Sequence, residues 1–404
     1  MILKEDLRRY LLKQQEQLYR DLGVSRDIHL KLIPNFVLLI SGIRRCGKST
    51  LARQFLNDKS PIYYANFEDI NLSGFELKDF IKLEEILKTE FGENGYFFFD
   101  EIQNINGWEK YIRQLVDQKE KVVVTGSNAS MLSSEMGTKL TGRHITKELF
   151  PFSYKEFLRL RKNNHSLDLF TEYLTEGGFP EYLKSGEKDI LQFLFQDIIS
   201  RDIIQRNELK NETAVKSLIQ YIISNIGKEA SFNKLKTYIG VSSTNSVSQY
   251  VHHLEQAYLI FSIKKFDYSI KKQLIHPKKM YCIDNAIIGT NAFSFSENKG
   301  RLLENLVFLE LKRQGSEIFY HKNNFECDFV LKKGTRITEA IQVCYELNPD
   351  NQEREFNGLL SAIQDFHPDK AVLLTYDQEE KITYKTKKIQ ILPVWKWLLE
   401  RHSH

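Results

Sequence analysis

The chain has 404 residues, 42% hydrophobic and 27% charged, the balance of a globular protein with room for about two to four domains. Its net charge of +4 permits a nucleic-acid partner without arguing for one. No apolar run approaches the roughly 20 residues of a membrane span, the first residues carry acids and no apolar stretch of a signal peptide, and the four cysteines are far apart, so a cytoplasmic protein with no membrane partner is expected.

Residues 1–30 read as an N-terminal helical segment, because Leu7, Leu11, Leu12 and Leu18 fall near helical spacing among charges. Such a segment can pack on the core that follows it or on another subunit. The apolar run Phe36–Ile40 then reads as a buried strand. It leads into Gly42, Ile43, Arg44, Arg45, Cys46, Gly47, Lys48, Ser49 and Thr50, which opens a helix. The pattern G-x-x-x-x-G-K-S is a phosphate-binding loop. The glycines let the backbone curl its N–H groups around an anion, and the helix N-terminus adds partial positive charge. Lys48 is expected on the β/γ-phosphates and the Ser49 hydroxyl on Mg²⁺.

A second apolar strand, Tyr96–Phe99, ends in Asp100 and Glu101. Paired carboxylates at the end of a buried strand are costly unless a cation is near. Asp100 is expected to hold the Mg²⁺ shell, and Glu101 to polarise the attacking water. The next strand, Lys121–Thr125, ends in small polar residues. In ATPases with an extra strand between the two motifs, a polar residue here senses the γ-phosphate. Ser127 and Asn128 are both candidates, with Asn128 preferred, and a helix cap is the competing role. Arg143 stands just before a further strand, His144–Phe150, where an arginine finger for a neighbouring subunit would come from.

These motifs, with Asn66-Phe-Glu-Asp69, Thr125-Gly-Ser127, Phe150–Phe157, Glu176-Gly-Gly-Phe-Pro180, Arg201-Asp-Ile203 and Gly300–Phe308, make the chain resemble the AAA+ ATPases that continue into a C-terminal domain of unknown function with a restriction-endonuclease-like core. The resemblance spans about residues 30 to 350. It implies an α/β P-loop NTPase: a parallel sheet with a helical lid, a winged-helix domain and a C-terminal α/β restriction-endonuclease-like domain. It also implies ATP, rather than GTP, with Mg²⁺.

The expected boundaries are 1–30, the N-terminal segment; 31–152, the P-loop core; 153–212, the helical lid; 213–265, the winged helix; and 266–404, the endonuclease-like domain. In the lid, which would lie beside the nucleotide, Arg201 and Arg206 could touch phosphate or pair with the local acids Asp197 and Asp202, the commoner outcome. In the winged helix the second helix carries no Lys or Arg, which counts against insertion into DNA. The lysines at 264, 265, 271, 272, 278 and 279 form a basic stretch read mainly as a solvated strand face.

In the last domain, Glu304 on a helix and Asp328 on a strand match the acids of an endonuclease-like metal site, where an E-x-K strand would add a third ligand and a cation. On the register that the resemblance implies, Gln342 and Cys344 stand at those two positions, with no Lys or Arg in 340–347. Nuclease activity is therefore not expected. The leading expectation is an ATPase acting as a switch or motor on a macromolecule, DNA or protein, with homo-oligomerisation open. The alternative is a nucleotide-gated DNA-binding or nuclease module.

Overall fold

The runs Val37–Ser41, Tyr96–Asp100 and Lys121–Gly126 are buried along nearly all their length, which requires cover on both faces of the sheet they build. The computed structural model describes residues 2–16, 18, 22–132, 134–291, 299–385 and 387–401. Of the N-terminal segment, residues 1, 17 and 19–21 lie outside these. The chain divides into two units, Met1–Phe150 with Gln256–Tyr258, and Pro151–Glu255 with Leu259–His404.

The first unit holds α1 (Lys4–Gln15), β1 (Val37–Ser41), α2 (Lys48–Leu56), β2 (Ile62–Asn66), α3 (Asp79–Phe91), β3 (Tyr96–Asp100), α4 (Trp108–Asp117), β4 (Lys121–Gly126), α5 (Ser134–Lys139) and β5 (His144–Glu148). The five strands are all parallel in the order β2-β3-β4-β1-β5. This is an α/β P-loop NTPase sheet. β4 lies between β1 and β3, so the strand that follows the acid pair in sequence separates the two motif strands in space. On one face an aromatic cluster of Phe67, Phe75, Phe80, Phe97, Phe99 and Tyr111 packs edge-on and stacked against α3 and α4.

The N-terminal segment packs on this core. Leu7 and Leu11 of α1 are fully buried in the same cluster. Two glutamines of α1 also satisfy the open edge of β2. The Gln14 amide donates to the Asn66 carbonyl at 3.2 Å and accepts from its N–H at 2.8 Å, while Gln15 donates to the Ile62 carbonyl at 2.6 Å. A helix thereby covers an edge strand that would otherwise offer a pairing surface.

The second unit opens with α6 (Tyr154–Arg161), α7 (Leu167–Glu176), α8 (Pro180–Ser185) and α9 (Lys188–Asp197), which runs on as a wider π-type turn over Ile198–Gln205. Arg201 and Arg206 pair there with Asp197 and Asp202 at 3.5 and 2.8 Å. α10 (Glu212–Ser224), β6 (Glu229–Ala230), α11 (Phe232–Tyr238), α12 (Thr244–Gln256), β7 (Ile260–Lys265), α13 (Ile270–Ile275) and β8 (Lys278–Cys282) follow. Then come α14 (Asn285–Asn291), α15 (Lys299–Arg313), β9 (Glu317–Lys322), β10 (Glu326–Lys333), β11 (Arg336–Val343), α16 (Gln352–Phe366), β12 (Lys370–Thr375), β13 (Glu380–Tyr384), β14 (Lys387–Pro393) and α17 (Val394–Glu400).

Its nine strands form one mixed sheet, β13-β14-β12-β11-β10-β9-β7-β8-β6, so strands from either side of residue 265 share a single sheet. α16 packs Phe356, Leu359 and Ala362 on Cys327, Val330 and Ala340. The Gly177-Gly178 turn owes its glycines to a close approach. A Cβ at Gly177 would stand 1.8 Å from the Asp284 carboxylate, and the Gly178 N–H donates to that carboxylate at 2.8 Å.

Candidate functional site

The loop from Gly42 to Ser49 connects the end of β1 to the start of α2. Both glycines are required by its shape. A Cβ at Gly42 would lie 2.1 Å from the Leu149 carbonyl, and Gly47 has φ +100°, a region that side chains rarely adopt. Cys46 is buried against the same carbonyl, its thiol donating at 3.5 Å, and burial raises its pKa. Ile43 is fully buried and its carbonyl accepts from Lys48 Nζ at 3.2 Å. Arg44 pairs with Glu68, one of the two acids in the Asn66–Asp69 motif. Thr50 accepts from Arg53 at 3.3 Å.

The strand order brings the two motifs together. Ser49 Oγ donates to Asp100 Oδ1 at 2.8 Å, and Lys48 Nζ lies 3.2 Å from Glu101 Oε1. Lys48 is only 4% exposed and Asp100 3%. Burial first, and the neighbouring Glu101 charge second, raise the Asp100 pKa against the pull of hydrogen bonds from Thr125 and Ser49. Glu101 is also opposed by burial, but the Lys48 charge and bonds from Gln103 and Lys48 outweigh it and lower its pKa. Burial likewise works against the Lys48 ammonium, and Glu101 outweighs it, so the Lys48 pKa is raised. Glu101 sits at φ +52° in the left-handed region, which turns it sharply out of β3.

Three further groups join this cluster that sequence reasoning gave no role. Thr125, at the end of β4, donates to Asp100 and accepts from the Glu101 N–H at 3.0 Å. Gln103 donates to Glu101 and, at 3.3 Å, to the Ser127 hydroxyl. Tyr64 donates to the other Asp100 oxygen at 3.4 Å. A polar residue closing a run of valines was the available signal for Thr125.

Asn128 and Arg143 stand outside the cluster. The Asn128 side-chain oxygen accepts from the Ser130 N–H at 2.8 Å, the capping role weighed against the sensor role. Ser127, the other candidate, is the residue linked to Glu101. Arg143 precedes β5 at the end where Val37 begins β1, opposite to the end that carries the phosphate loop. It pairs with Asp117 at 2.6 Å.

The second unit holds a separate polar cluster. Lys279 of β8, 1% exposed in its side chain, lies 3.3 Å from Glu304, 2.7 Å from Glu326 and 3.0 Å from Asp328. Tyr281 donates to Glu304 at 2.7 Å. Asp328 also accepts from the Val343 N–H at 3.0 Å, and Gln342 accepts from the Asp328 N–H at 3.3 Å. The sequence contains no cation near 344, yet the fold supplies one from a strand before Glu304. Lys279 therefore leaves the solvated basic stretch. Cys344 is buried, which pushes its thiol up to about 12. Glu339 pairs with Arg401.

Two family profiles match the chain, one described as an AAA domain over residues 34–158 and one as a domain of unknown function, DUF8612, over residues 167–297. An uncharacterized protein of Methanocaldococcus jannaschii is 37% identical, with 93% of this chain and 91% of that protein covered. An uncharacterized protein of Haemophilus influenzae is 31% identical over 93% of this chain and 99% of its own. Among solved structures, the Orc1 protein of Aeropyrum pernix in complex with DNA covers 72% of this chain and 92% of that one, at 12% identity and a TM-score of 0.33, a likeness too loose to carry an argument.

Proposed function

The chain belongs to the AAA+ P-loop ATPases, and from that premise we propose that it binds ATP with Mg²⁺, hydrolyses it to ADP and phosphate, and uses the cycle as a switch or motor on a macromolecular partner. The observation that carries this reading is the paired contact of the two motifs, Ser49 with Asp100 and Lys48 with Glu101. A protein that only held nucleotide would have no use for a second carboxylate kept ionised beside the lysine.

The donor set fits Mg²⁺. A hydroxyl and a carboxylate oxygen 2.8 Å apart are hard ligands, and Mg²⁺ is usually held by one or two such groups together with substrate phosphates. Ser49 and Asp100 would hold it, and when bound it neutralises charge on the phosphates. The loop backbone and Lys48 bind and orient the triphosphate. Glu101, held by Gln103 and flanked by Thr125, takes the proton side of an attacking water. Ser127, reached through Gln103, is better placed than Asn128 to report the γ-phosphate to Glu101. Arg143 has no path to its own chain's loop across the length of the sheet. Its finger role therefore requires a second copy, and the protein acts as a homo-oligomer.

The second unit is proposed to engage the partner, DNA or protein, through the winged helix expected over 213–265. Lys279 puts a cation beside Glu304 and Asp328, an observation on the side of the nuclease alternative, but it is held there by ion pairs to these acids and to Glu326, and Gln342 still stands in place of the third acid. The test is phosphate release from ATP with and without DNA, with the mass of the particle measured in ATP and ADP. Absence of phosphate release would reject hydrolysis, and absence of nucleotide binding as well would reject the nucleotide site altogether.

A further inference from the structure

The segment before β1 reaches the phosphate loop through the Arg26 side chain. Arg26 Nη1 donates to the Cys46 carbonyl at 2.9 Å, and Nη2 donates to the Phe150 carbonyl at 2.6 Å. The segment is held in place from the other side. Gln54 of α2 donates to the carbonyls of Leu22 and Val24 at 2.6 and 2.8 Å. Arg26 is also the nearest neighbour of the bare face of Gly47, its Nη1 standing 3.4 Å from where a Cβ would be.

Resting on the nucleotide-site reading above, we propose that Arg26 is a positioning residue of that site, which locks the Cys46–Gly47 peptide so that the loop is pre-formed for phosphate. In a trans peptide the carbonyl and the following N–H point in opposite directions. Holding the Cys46 carbonyl toward the guanidinium thus turns the Gly47 N–H to the other side, toward the hollow that residues 42–48 enclose. The lock is needed because of Gly47 itself. A glycine at φ +100° reaches mirror conformations cheaply, so the 46–47 peptide is the weakest point of the loop. If it flipped, a carbonyl oxygen would replace an N–H in front of a phosphate, exchanging attraction for repulsion. The second bond, to Phe150, ties the loop to the chain leaving β5, where Leu149 already abuts Gly42 and Cys46. A charged donor that satisfies two backbone carbonyls is among the stronger hydrogen-bonding arrangements available. The N-terminal segment is then part of the nucleotide site rather than an attachment to it.

The test is ADP binding by calorimetry to the full chain, for wild type, Arg26→Lys and Arg26→Ala, with thermal unfolding followed in parallel. Loss of a charge-assisted bond predicts a rise in the ADP Kd of about tenfold or more for Arg26→Ala. Arg26→Lys, which offers one point donor in place of a fork, falls between the two. Saturating ATP should restore the turnover rate of Arg26→Ala to within about threefold of wild type, since uniform binding is what is lost. An ADP Kd within about twofold of wild type in Arg26→Ala would overturn the proposal. So would an equal loss in both variants that tracks a fall in unfolding temperature, because that marks a structural role alone. ADP affinity is read separately from hydrolysis. A wild type that binds ADP but releases no phosphate rejects the ATPase reading and leaves the Arg26 comparison to stand or fall on the binding data.

Discussion

The Lys279 ammonium lies 3.0 Å from the Asp328 carboxylate, although 49 residues separate them in the chain. With Glu304 and Glu326 also within reach, three acids from α15 and β10 share this one buried cation, and Glu326 pairs with Lys322 as well. Burial works against the Lys279 charge, and Glu304 and Asp328 outweigh it and raise its pKa well above the ordinary value. Burial is likewise the main force raising Glu304, with the Lys279 charge opposing it.

Removing that cation should be severe. Lys279→Met takes from Glu304 and Asp328 the cation they pair with, a change that costs about 3–5 kcal/mol in comparable buried pairs. Urea denaturation of wild type, Lys279→Met and the double variant Lys279→Met/Asp328→Asn would measure it. Partial recovery in the double variant is expected, and a single variant as stable as wild type would show the cluster to be unimportant.

The same cluster bears on nuclease chemistry. The purified protein is expected not to nick supercoiled plasmid, linear duplex or branched DNA with Mg²⁺ or Mn²⁺. Lys279 already occupies the space among the acids, and Gln342 is engaged with the Asp328 N–H and, at 2.6 Å, with Glu355. Metal-dependent nicking by wild type that disappears in Asp328→Ala would reverse this expectation and promote the nuclease alternative.

In the nucleotide site, Lys48→Ala should abolish ATP binding, while Glu101→Gln keeps binding and stops turnover. The two side chains touch at 3.2 Å, and the proposed roles separate them, Lys48 on phosphate and Glu101 on water. Filter binding and phosphate release separate these effects. Turnover persisting in Glu101→Gln would remove Glu101 from the mechanism.

Arg143→Ala should keep ATP affinity and lose hydrolysis by about 10³–10⁵, the range of arginine fingers. Mixing it with Glu101→Gln protein should restore part of the rate, because each variant would complete the other's interface. Normal turnover by Arg143→Ala alone would assign the residue to its surface pair with Asp117.

Asp284 supplies a pH dependence. Burial first, opposed by N–H bonds from Gly178 and Ala286, pushes its carboxyl up to about 7. The unfolded value is about 3.9, so between about pH 4 and pH 7 the folded state holds more protons. The stability this group contributes is fully present below about pH 4 and is lost as pH rises through about 7. Asp284→Asn should remove that slope, on the order of 1 kcal/mol per pH unit. Denaturation series in steps across this range would show it, and parallel profiles for the two proteins would contradict the assignment.

The phosphate loop, the strand that ends in Asp100 and Glu101, and the strand that ends at Gly126 are contiguous in the chain. They are recognised by local backbone shape and by one run of apolar residues after another, so the parallel sheet and the family resemblance were legible from residue order. The choice between Ser127 and Asn128 was not legible, because both suit a strand end. The contacts that bear on it, from Gln103 to Ser127 and from the Ser130 N–H to Asn128, exist only in the folded chain. Arg26 and Lys279 were invisible for a related reason. Each acts on groups that are remote in sequence and adjacent only after strands take their places, Arg26 on carbonyls at 46 and 150, Lys279 on acids at 304, 326 and 328. Gln14 and Gln15 likewise have backbone partners at 62 and 66 only because β2 lies at the edge of the sheet. A buried charge or open backbone group must find a partner somewhere, and strand order in the sheet, which no local pattern encodes, decides which one it finds.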